Sequence, residues 1–258
     1  MNPFSLNGKT ALVAGASRGI GLAIAQHLAE AGAGTILAAR SIDKLMEHAQ
    51  AHRGKGYRAS ALRMDLSDTE SIREALETIE TPDILVNVTG TNIRKSFHQY
   101  TAAEYEHIMR TNLHGIVELT QRIGARMIAR GPGGKVIMIG SLMSLLGLPY
   151  ASIYAMTKGA LGQLTKSLAA EWGRYNIQVN CIAPGFILTD LNRRMWEPPR
   201  MHEWLKGAQA NPRLGTPGDV APLAVFLAGS GADYITGQII SVDGGYTTTS
   251  VWPFEPEG

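Results

Sequence analysis

Short apolar segments alternate with longer amphipathic segments along most of this chain, and the alternation restricts its fold more than any other feature. Strands buried on both faces of a parallel sheet read as continuous Val, Ile and Leu runs, as residues 84–86 and 136–139 do. Parallel neighbours need helical crossovers, so the pattern predicts an α/β fold, a doubly wound parallel sheet of about seven strands with helices on both faces. The predicted strands cover residues 10–14, 35–39, 59–64, 84–88, 136–139, 178–182 and 239–242. The predicted helices lie near residues 20–31, 43–52, 68–78, 103–129, 153–172 and 219–228.

The chain contains no internal repeat, low-complexity tract or linker-like stretch, and its 258 residues fit the size of one domain. We therefore predict a single domain over residues 1–258. One segment, at about residues 190–213, interrupts the alternation because it carries Trp196, Trp204 and three prolines. A long irregular insertion in a compact domain is commonly a binding loop. We predict a lid here, with a surface excursion at a subunit interface as the alternative.

Composition and charge exclude several classes of function. The formal net charge of +2 is small and evenly spread, which disfavours binding to nucleic acid or to a membrane surface. No apolar run approaches the roughly 18 residues of a membrane span, and the first residues lack the basic and apolar regions of a signal peptide. The only cysteine, Cys181, lies in an apolar strand, which is typical of a core residue, and it cannot form an internal disulfide. We expect a cytoplasmic protein.

A glycine-rich turn follows the first predicted strand and opens the first helix. Its glycines allow a tight bend and a close approach of the backbone to a pyrophosphate, and the unpaired N–H groups of the helix start bind the anion. This context predicts the dinucleotide-binding loop of a Rossmann-type fold. The residues assigned to the loop are Gly15, Ser17, Arg18, Gly19, Ile20 and Gly21.

Tyr154 and Lys158 are four residues apart at the start of a predicted helix, so their side chains share one face. Tyrosine titrates near pH 10, and a neighbouring ammonium together with a bound nicotinamide is expected to lower the pKa of the phenol. The phenol can then accept the proton of an alcohol or donate one to a carbonyl. Ser141 follows a predicted strand, where open α/β sheets place their ligands, and its hydroxyl is predicted to hold the reacting oxygen.

These motifs together resemble the short-chain dehydrogenase/reductase family from residue 6 to about residue 247. The resemblance is carried by the Gly-x-x-x-Gly-x-Gly loop and, in order, by Asp65, Asn87-Val88-Thr89-Gly90, Asn112, Ser141, Tyr154-Ala155-Met156-Thr157-Lys158 and Pro184-Gly185. It implies a nicotinamide-dependent oxidoreductase that interconverts a secondary alcohol and a ketone, with Ser141, Tyr154, Lys158 and Asn112 as catalytic residues. It also implies a homotetramer.

The resemblance assigns further roles along the chain. Asn112 would anchor a water that connects Lys158 to solvent. Asp65 and Leu66 would hold the adenine, and Ile187 and Thr189 would hold the nicotinamide amide. The remaining expected cofactor contacts are Asn87, Gly90, Tyr154, Lys158, Pro184 and Gly185.

Arg40 indicates which nicotinamide cofactor is used. It follows the second predicted strand, where an acidic residue would accept hydrogen bonds from the ribose of NAD. No carboxylate stands there to repel a 2′-phosphate, and Arg18 is expected to reach the same phosphate, because arginine suits oxyanions. We predict NADP, with NAD as the alternative in case both arginines face solvent or stack on adenine.

Two further features are a departure from the family sequence at Val88 and a pair of histidines, His48 and His52. Val88 stands where the family usually has a second asparagine, so the hydrogen bonds of that residue are absent, and Thr89 is expected to compensate in part. His48 and His52 are four apart on a predicted helix, which is metal-ligand spacing, but no third ligand is near in sequence. We therefore predict a solvated helix face and no metal site.

The substrate is a small carbonyl or alcohol compound whose identity the catalytic residues do not define. Asn92, Arg94 and Lys95 follow the fourth predicted strand, and the insertion supplies Arg193, Arg194 and Trp196. Basic groups at a pocket mouth suit a carboxylate, and these surroundings are similar to gluconate 5-dehydrogenase and other sugar-acid members of the family. Exposed surface charges are the alternative interpretation.

Three other functions stay open at this stage. A 3-oxoacyl-carrier-protein reductase would share every catalytic motif. Residues 149–180 also resemble tropinone reductases, which points to small cyclic ketones. From another class, the chain could be a cofactor-binding regulator without turnover, although an intact Ser141, Tyr154 and Lys158 argues against it.

Overall fold

The computed structural model describes residues 2–190 and 192–250, and it contains one parallel sheet of seven strands in the order β3-β2-β1-β4-β5-β6-β7. The order reverses between β1 and β4, since β1 pairs with β2 on one side and with β4 on the other. This arrangement confirms the predicted doubly wound fold. The strands are β1 (Thr10–Ala14), β2 (Gly34–Ala39), β3 (Ala59–Arg63), β4 (Ile84–Asn87), β5 (Gly134–Ile139), β6 (Ile177–Pro184) and β7 (Ile239–Val242).

Helices connect the strands and cover both faces of the sheet. They are α1 (Gly19–Glu30), α2 (Ile42–Gly54), α3 (Thr69–Glu77), α4 (Ala102–Met109), α5 (Gly115–Arg130), α6 (Ser152–Trp172), α7 (Arg193–Trp196), α8 (Pro199–Ala208) and α9 (Pro217–Ala228). Every predicted strand is found, and so is every predicted helix except the one expected over residues 103–129, with ends displaced by one or two residues in most cases. Within the described ranges, no helix is long and apolar enough to cross a membrane.

The sheet is buried on both sides, as its continuous apolar runs predict. On one face the side chains of α1, α2 and α9 pack against the strands, with Leu28 and Leu45 fully buried. On the other face α3, α5 and α6 do so, with Ile116 and Leu161 fully buried. All residues of β6 are buried. Burying each large apolar side chain stabilises the fold by about 1.5–3 kcal/mol, so both layers hold the strand ends in place.

Two predictions from the sequence need correction. The single helix expected over residues 103–129 is divided into α4, a π-helical turn at Arg110–His114, and α5. A Cβ atom on Gly115 would lie 1.7 Å from the Leu66 carbonyl oxygen, so a glycine is needed where α5 passes the loop after β3. The insertion is not irregular, because it contains α7 and α8. Pro199 lies in the first turn of α8, where its missing N–H removes no helical hydrogen bond.

Candidate active site

The reversal of strand order opens a cleft at the carboxyl ends of β1 and β4, the place where open parallel sheets bind ligands. A Cβ atom on Gly15 would lie 2.9 Å from the Thr89 nitrogen, and Gly15 has a φ of +99°. A Cβ atom on Gly21 would lie 2.2 Å from the Gly15 carbonyl oxygen. Glycine is therefore required at both positions, because a side chain would push apart the loop, α1 and the segment after β4.

The cleft has a volume of about 490 Å³, and the start of α1 forms part of its wall. This helix begins at Gly19 with no side-chain cap and no acidic residue in its first turn. Its first N–H groups and the positive end of its dipole are therefore available to an anion. Asp65 and Leu66 line the same cleft, as predicted for the residues after β3.

One end of the cleft is cationic. Arg18 of the glycine loop and Arg40 after β2 line it, and so do Ser41 and Lys44. Ser41 and Lys44 were not predicted, although Lys44 lies in the first turn of α2, the helix that follows Arg40. His48 lies further along α2. Its Nε2 atom is 3.2 Å from the Ser17 carbonyl oxygen, and this contact links the helix to the glycine loop.

A second cavity, of about 220 Å³, continues from the cleft and contains Ser141, Tyr154 and Lys158. Ser141 follows β5, and the other two residues are one turn apart on α6. The structure thus brings together the three residues that the sequence singles out for catalysis. The two cavities share Ile20, Val88, Gly90 and Thr189, and the second is also lined by Pro184, Gly185 and Ile187.

Tyr154 is partly buried in this second cavity. Burial raises the pKa of its phenol, while the Ser141 hydroxyl and the charge of Arg94 act in the opposite direction. The Lys158 ammonium lies 5.6 Å from the centre of the tyrosine ring. The sequence predicts that Lys158 and a bound nicotinamide together lower the pKa of Tyr154. In the protein alone the pKa of Tyr154 is raised instead, because removal of water from the phenol outweighs the effect of the nearby charges.

Lys158 is almost completely buried, and its ammonium donates a hydrogen bond to the Ile139 carbonyl oxygen at 2.8 Å. Burial lowers the pKa of Lys158 to about 8, and Cys181 opposes the shift. Cys181 is itself fully buried, which raises the pKa of its thiol to about 11. The prediction of a core cysteine is confirmed.

Asn112 is fully buried in the π-helical turn, next to the lysine. Its Oδ1 accepts from the Thr91 nitrogen at 2.7 Å, and its Nδ2 donates to the Thr91 carbonyl oxygen at 2.8 Å. A Cβ atom on Gly90 would lie 3.6 Å from Lys158 Nζ and 3.7 Å from Asn112 Oδ1. The Asn112 amide and the Lys158 ammonium therefore both border Gly90. Single-turn π-helices frequently occur at functional sites.

Comparison with known proteins agrees with this geometry. A family model described as enoyl-(acyl carrier protein) reductase matches residues 15–247. Gluconate 5-dehydrogenase of Gluconobacter oxydans is 34% identical over 250 residues, 95% of this chain and 97% of that protein. The chain belongs to the short-chain dehydrogenase/reductase family.

Two further members of this family are similar over almost the whole chain. A tropinone reductase homologue of Datura stramonium is 38% identical over 252 residues, 95% of this chain and 94% of that protein. A gluconate 5-dehydrogenase from Burkholderia cenocepacia, solved in complex with NADP and tartrate, is 36% identical with a TM-score of 0.92. The alignment covers 96% of this chain and 98% of that one.

The segment after β4 departs from the usual family sequence, and the structure shows the result. The Asn87 side chain is buried and donates to Thr120 Oγ1 at 3.0 Å, so it is directed toward α5. Asn87 does not line either cavity among the described residues, which argues against the expected direct cofactor contact. Val88 lines both cavities, and its backbone nitrogen donates to the Ala14 carbonyl oxygen at 2.9 Å.

The substrate candidates separate into two groups. Asn92 and Arg94 line the cavity of Tyr154. Arg193 and Arg194 are exposed and lie outside that cavity as far as the described residues define it, and Arg193 forms an ion pair with Asp190 at 3.4 Å. The expectation that the arginines of the insertion face the pocket is therefore not met in this conformation, because they lie on the outer side of α7.

The insertion contributes apolar residues instead. Met195 lines the cavity of Tyr154, and so does Phe186, whose ring lies 5.3 Å from Trp196 and 5.4 Å from Trp204. Trp196 is buried in this aromatic cluster and supports the wall from behind, so its expected substrate contact is not found. Met195 and Phe186 were not predicted, because neither lies in a motif of its own.

The paired histidines of α2 also need correction. His52 is buried and packs edge-on against Tyr57, so this face of α2 is not solvated. Burial is the main cause that lowers the pKa of His52. No group of three potential metal ligands occurs within the part of the chain that the structure describes.

Proposed function

We propose that this chain is an NADP-dependent oxidoreductase that interconverts a secondary alcohol and a ketone by hydride transfer. The observation that carries the proposal is the continuity of the two cavities. Ser141, Tyr154 and Lys158 meet in a cavity that opens into a cleft lined by glycines and by the start of α1. A proton-transfer group and a dinucleotide-sized cleft therefore border one space.

The cleft fits NADP on the evidence of its own residues. Gly15 and Gly21 leave no room for side chains, which allows the backbone to approach a pyrophosphate. Arg18, Arg40 and Lys44 line one end, where they match the 2′-phosphate that distinguishes NADP from NAD. Ile187 and Thr189 border the catalytic cavity and are proposed to hold the nicotinamide end. When bound, NADP supplies or accepts the hydride.

The chain itself handles the proton. The Tyr154 hydroxyl donates its proton to the carbonyl oxygen during reduction and accepts it from the alcohol during oxidation. Ser141, which lines the same cavity as Tyr154, holds the same substrate oxygen. Lys158 supplies the positive charge beside the phenol, and the Asn112 turn next to Gly90 is proposed to connect its ammonium with solvent.

For the substrate we propose a sugar acid or a related hydroxy acid. Arg94 lines the cavity of Tyr154 together with Lys158, and a guanidinium binds carboxylates in paired hydrogen bonds. The relatives named above as gluconate 5-dehydrogenases support this class, and one of them was solved with the dicarboxylate tartrate. A charge-assisted hydrogen bond contributes about 1.5–3 kcal/mol, so Arg94→Ala should lower kcat/KM for acids by about ten- to a hundredfold.

The test is a steady-state comparison of sugar acids with polyols of equal length, using NADP(H) and NAD(H). We expect NADP-dependent turnover, a preference for the acids, and loss of that preference in Arg94→Ala. The matched control is Arg193→Ala/Arg194→Ala, which should keep the preference, because both side chains are exposed outside the cavity. Faster turnover of 3-oxoacyl thioesters or cyclic ketones would replace the sugar-acid proposal. Absence of turnover with every compound would favour a cofactor-binding regulator.

We also propose that the enzyme is a cytoplasmic homotetramer built from single-domain subunits, with the α7–α8 insertion as a lid. The family resemblance supports the tetramer, and an apolar groove between α5 and α6, bordered by Val117 and Leu164, offers a surface for a second copy. One buried cysteine is consistent with a reducing compartment. Sedimentation at micromolar concentration tests the assembly, and a mass of one chain contradicts it.

A further inference from the structure

Arg94 lies on a short segment that is anchored on both sides. On its N-terminal side, Ile93 packs against a small apolar cluster that includes Ile108 and Ile153. The Ile93 carbonyl oxygen accepts a hydrogen bond from the Tyr100 hydroxyl. The residue before Arg94 is thus fixed through its side chain and through its backbone.

On the C-terminal side, Lys95 is held by its backbone and by its ammonium. Its N–H donates to the Tyr150 carbonyl oxygen at 3.0 Å. Its ammonium lies 2.7 and 2.8 Å from the two carboxylate oxygens of Glu104, and 3.2 Å from the Gln99 carbonyl oxygen. The Lys95 and Glu104 side chains are only 28% and 27% exposed, so water screens this ion pair less than a surface pair.

The acceptors of Lys95 are themselves fixed. Glu104 accepts from the Thr101 nitrogen at 2.8 Å in the capping box of α4. The hydrogen bond from Lys95 lowers the pKa of Glu104 to about 2, so the pair stays ionised throughout the neutral pH range. Tyr150 has a φ of +65°, a strained conformation for a residue other than glycine, which persists only where its surroundings hold it.

We propose that the Lys95–Glu104 ion pair is a positioning device for Arg94, which holds the guanidinium at the cavity of Tyr154 and thereby sets the affinity for an anionic substrate. Arg94 lines the cavity, whereas Lys95 and Glu104 do not line it and act only through Arg94. The part that concerns anionic substrates rests on the proposed function. The part that concerns Tyr154 does not, because Arg94 borders the tyrosine whatever the substrate is.

Glu104→Gln is the sharpest variant, because glutamine removes the charge but keeps an oxygen that accepts from Thr101. We expect KM for sugar acids to rise about three- to tenfold, part of the roughly hundredfold loss that a 1 Å misplacement of a group can cause. KM for NADP and kcat/KM for the reduction of neutral ketones at neutral pH should stay within about twofold, because reduction uses the phenol in its protonated form. The matched control is Glu106→Gln, an exposed carboxylate on the same helix, which should change neither value.

A double-mutant cycle separates positioning from general loosening. In an Arg94→Ala background, Glu104→Gln should have no further effect on KM for acids, since there is no guanidinium left to position. Lys95→Met removes the ammonium but keeps the backbone N–H that binds Tyr150, and it should reproduce the effect of Glu104→Gln. Additive losses in the Arg94→Ala background would overturn the proposal.

The pH profile gives a readout that does not depend on substrate charge. Arg94 and Lys158 are the charged groups beside Tyr154 in the described part of the chain, and the Ser141 hydroxyl is the neutral polar group that also lowers its pKa. Because Arg94 lowers the pKa of Tyr154, a displaced guanidinium lets it rise. Oxidation of a neutral alcohol needs the deprotonated phenol. The pH at which the oxidation rate reaches half of its maximum should therefore be higher in Glu104→Gln than in the wild type.

The two readouts distinguish the possible failures. If the wild type does not prefer acids but the pH profile of Glu104→Gln moves upward, the substrate proposal fails and the positioning role stands. If neither the acid preference nor the pH profile changes in Glu104→Gln, the positioning role is refuted, whatever the substrate is.

Discussion

Replacement of Arg40 by aspartate should reverse the preference for NADP. Arg40 is exposed at the cationic end of the cleft, so its interaction with a 2′-phosphate takes place close to the dielectric constant of water. Two unit charges at about 4 Å then interact with about 1 kcal/mol, and a phosphate carrying nearly two charges doubles this to about 2 kcal/mol. Aspartate removes the attraction and adds a repulsion of similar size, about 4 kcal/mol in total, or about 10³-fold in the ratio of kcat/KM values.

The assay measures kcat/KM for NADP and for NAD with one substrate at two ionic strengths. Salt should reduce the effect, because the Debye length falls to about 8 Å at 0.15 M. Lys55→Asp is the control with the same change of charge, since Lys55 follows the end of the 13-residue α2, about 20 Å from Arg40. It should change the ratio by less than about twofold at 0.15 M salt. An unchanged ratio in Arg40→Asp would show that the 2′-phosphate is bound elsewhere or is not recognised.

Three further predictions concern catalysis and stability. Tyr154→Phe should lower kcat by more than about tenfold and leave NADP(H) affinity within a few-fold; a smaller loss of kcat excludes Tyr154 as the acid–base group. Lys158 has a pKa of about 8 when folded and 10.5 as its ordinary value, so the unfolded chain binds the proton more tightly. Between pH 7 and 10.5 the wild type should therefore gain about 3 kcal/mol of unfolding free energy relative to Lys158→Met. The measurement is urea unfolding of both proteins across this pH range, and the same pH dependence of the unfolding free energy in both would contradict the prediction. Gly124→Ala should destabilise by about 1–3 kcal/mol and lower the Tm by a few degrees, because its Cβ would lie 2.3 Å from the Trp172 ring. The control Gly159→Ala has open space at that position and should be neutral or stabilising.

The sequence determined the fold class and the catalytic centre for local reasons. Apolar runs that need burial on both faces specify a parallel sheet, and its strand ends bring Gly15, Ser141 and Gly185 to one edge regardless of other details. The spacing of Tyr154 and Lys158 on one helix places both side chains on one face through backbone geometry alone. Such features depend on neighbours within a few residues, and a single sequence displays them.

The direction of each exposed side chain and the burial of each ionisable group were decided only by the tertiary structure. Arg94 and Arg193 look equivalent in the sequence, and both are exposed, but Arg94 lines the cavity of Tyr154 and Arg193 pairs with Asp190 outside it. The raised pKa of Tyr154 likewise results from packing between segments that are distant in the chain. Long-range contacts determine both the direction of a side chain and the pKa of an ionisable group. A side chain points toward its interaction partners, and the residues packed around an ionisable group determine how far it is removed from water.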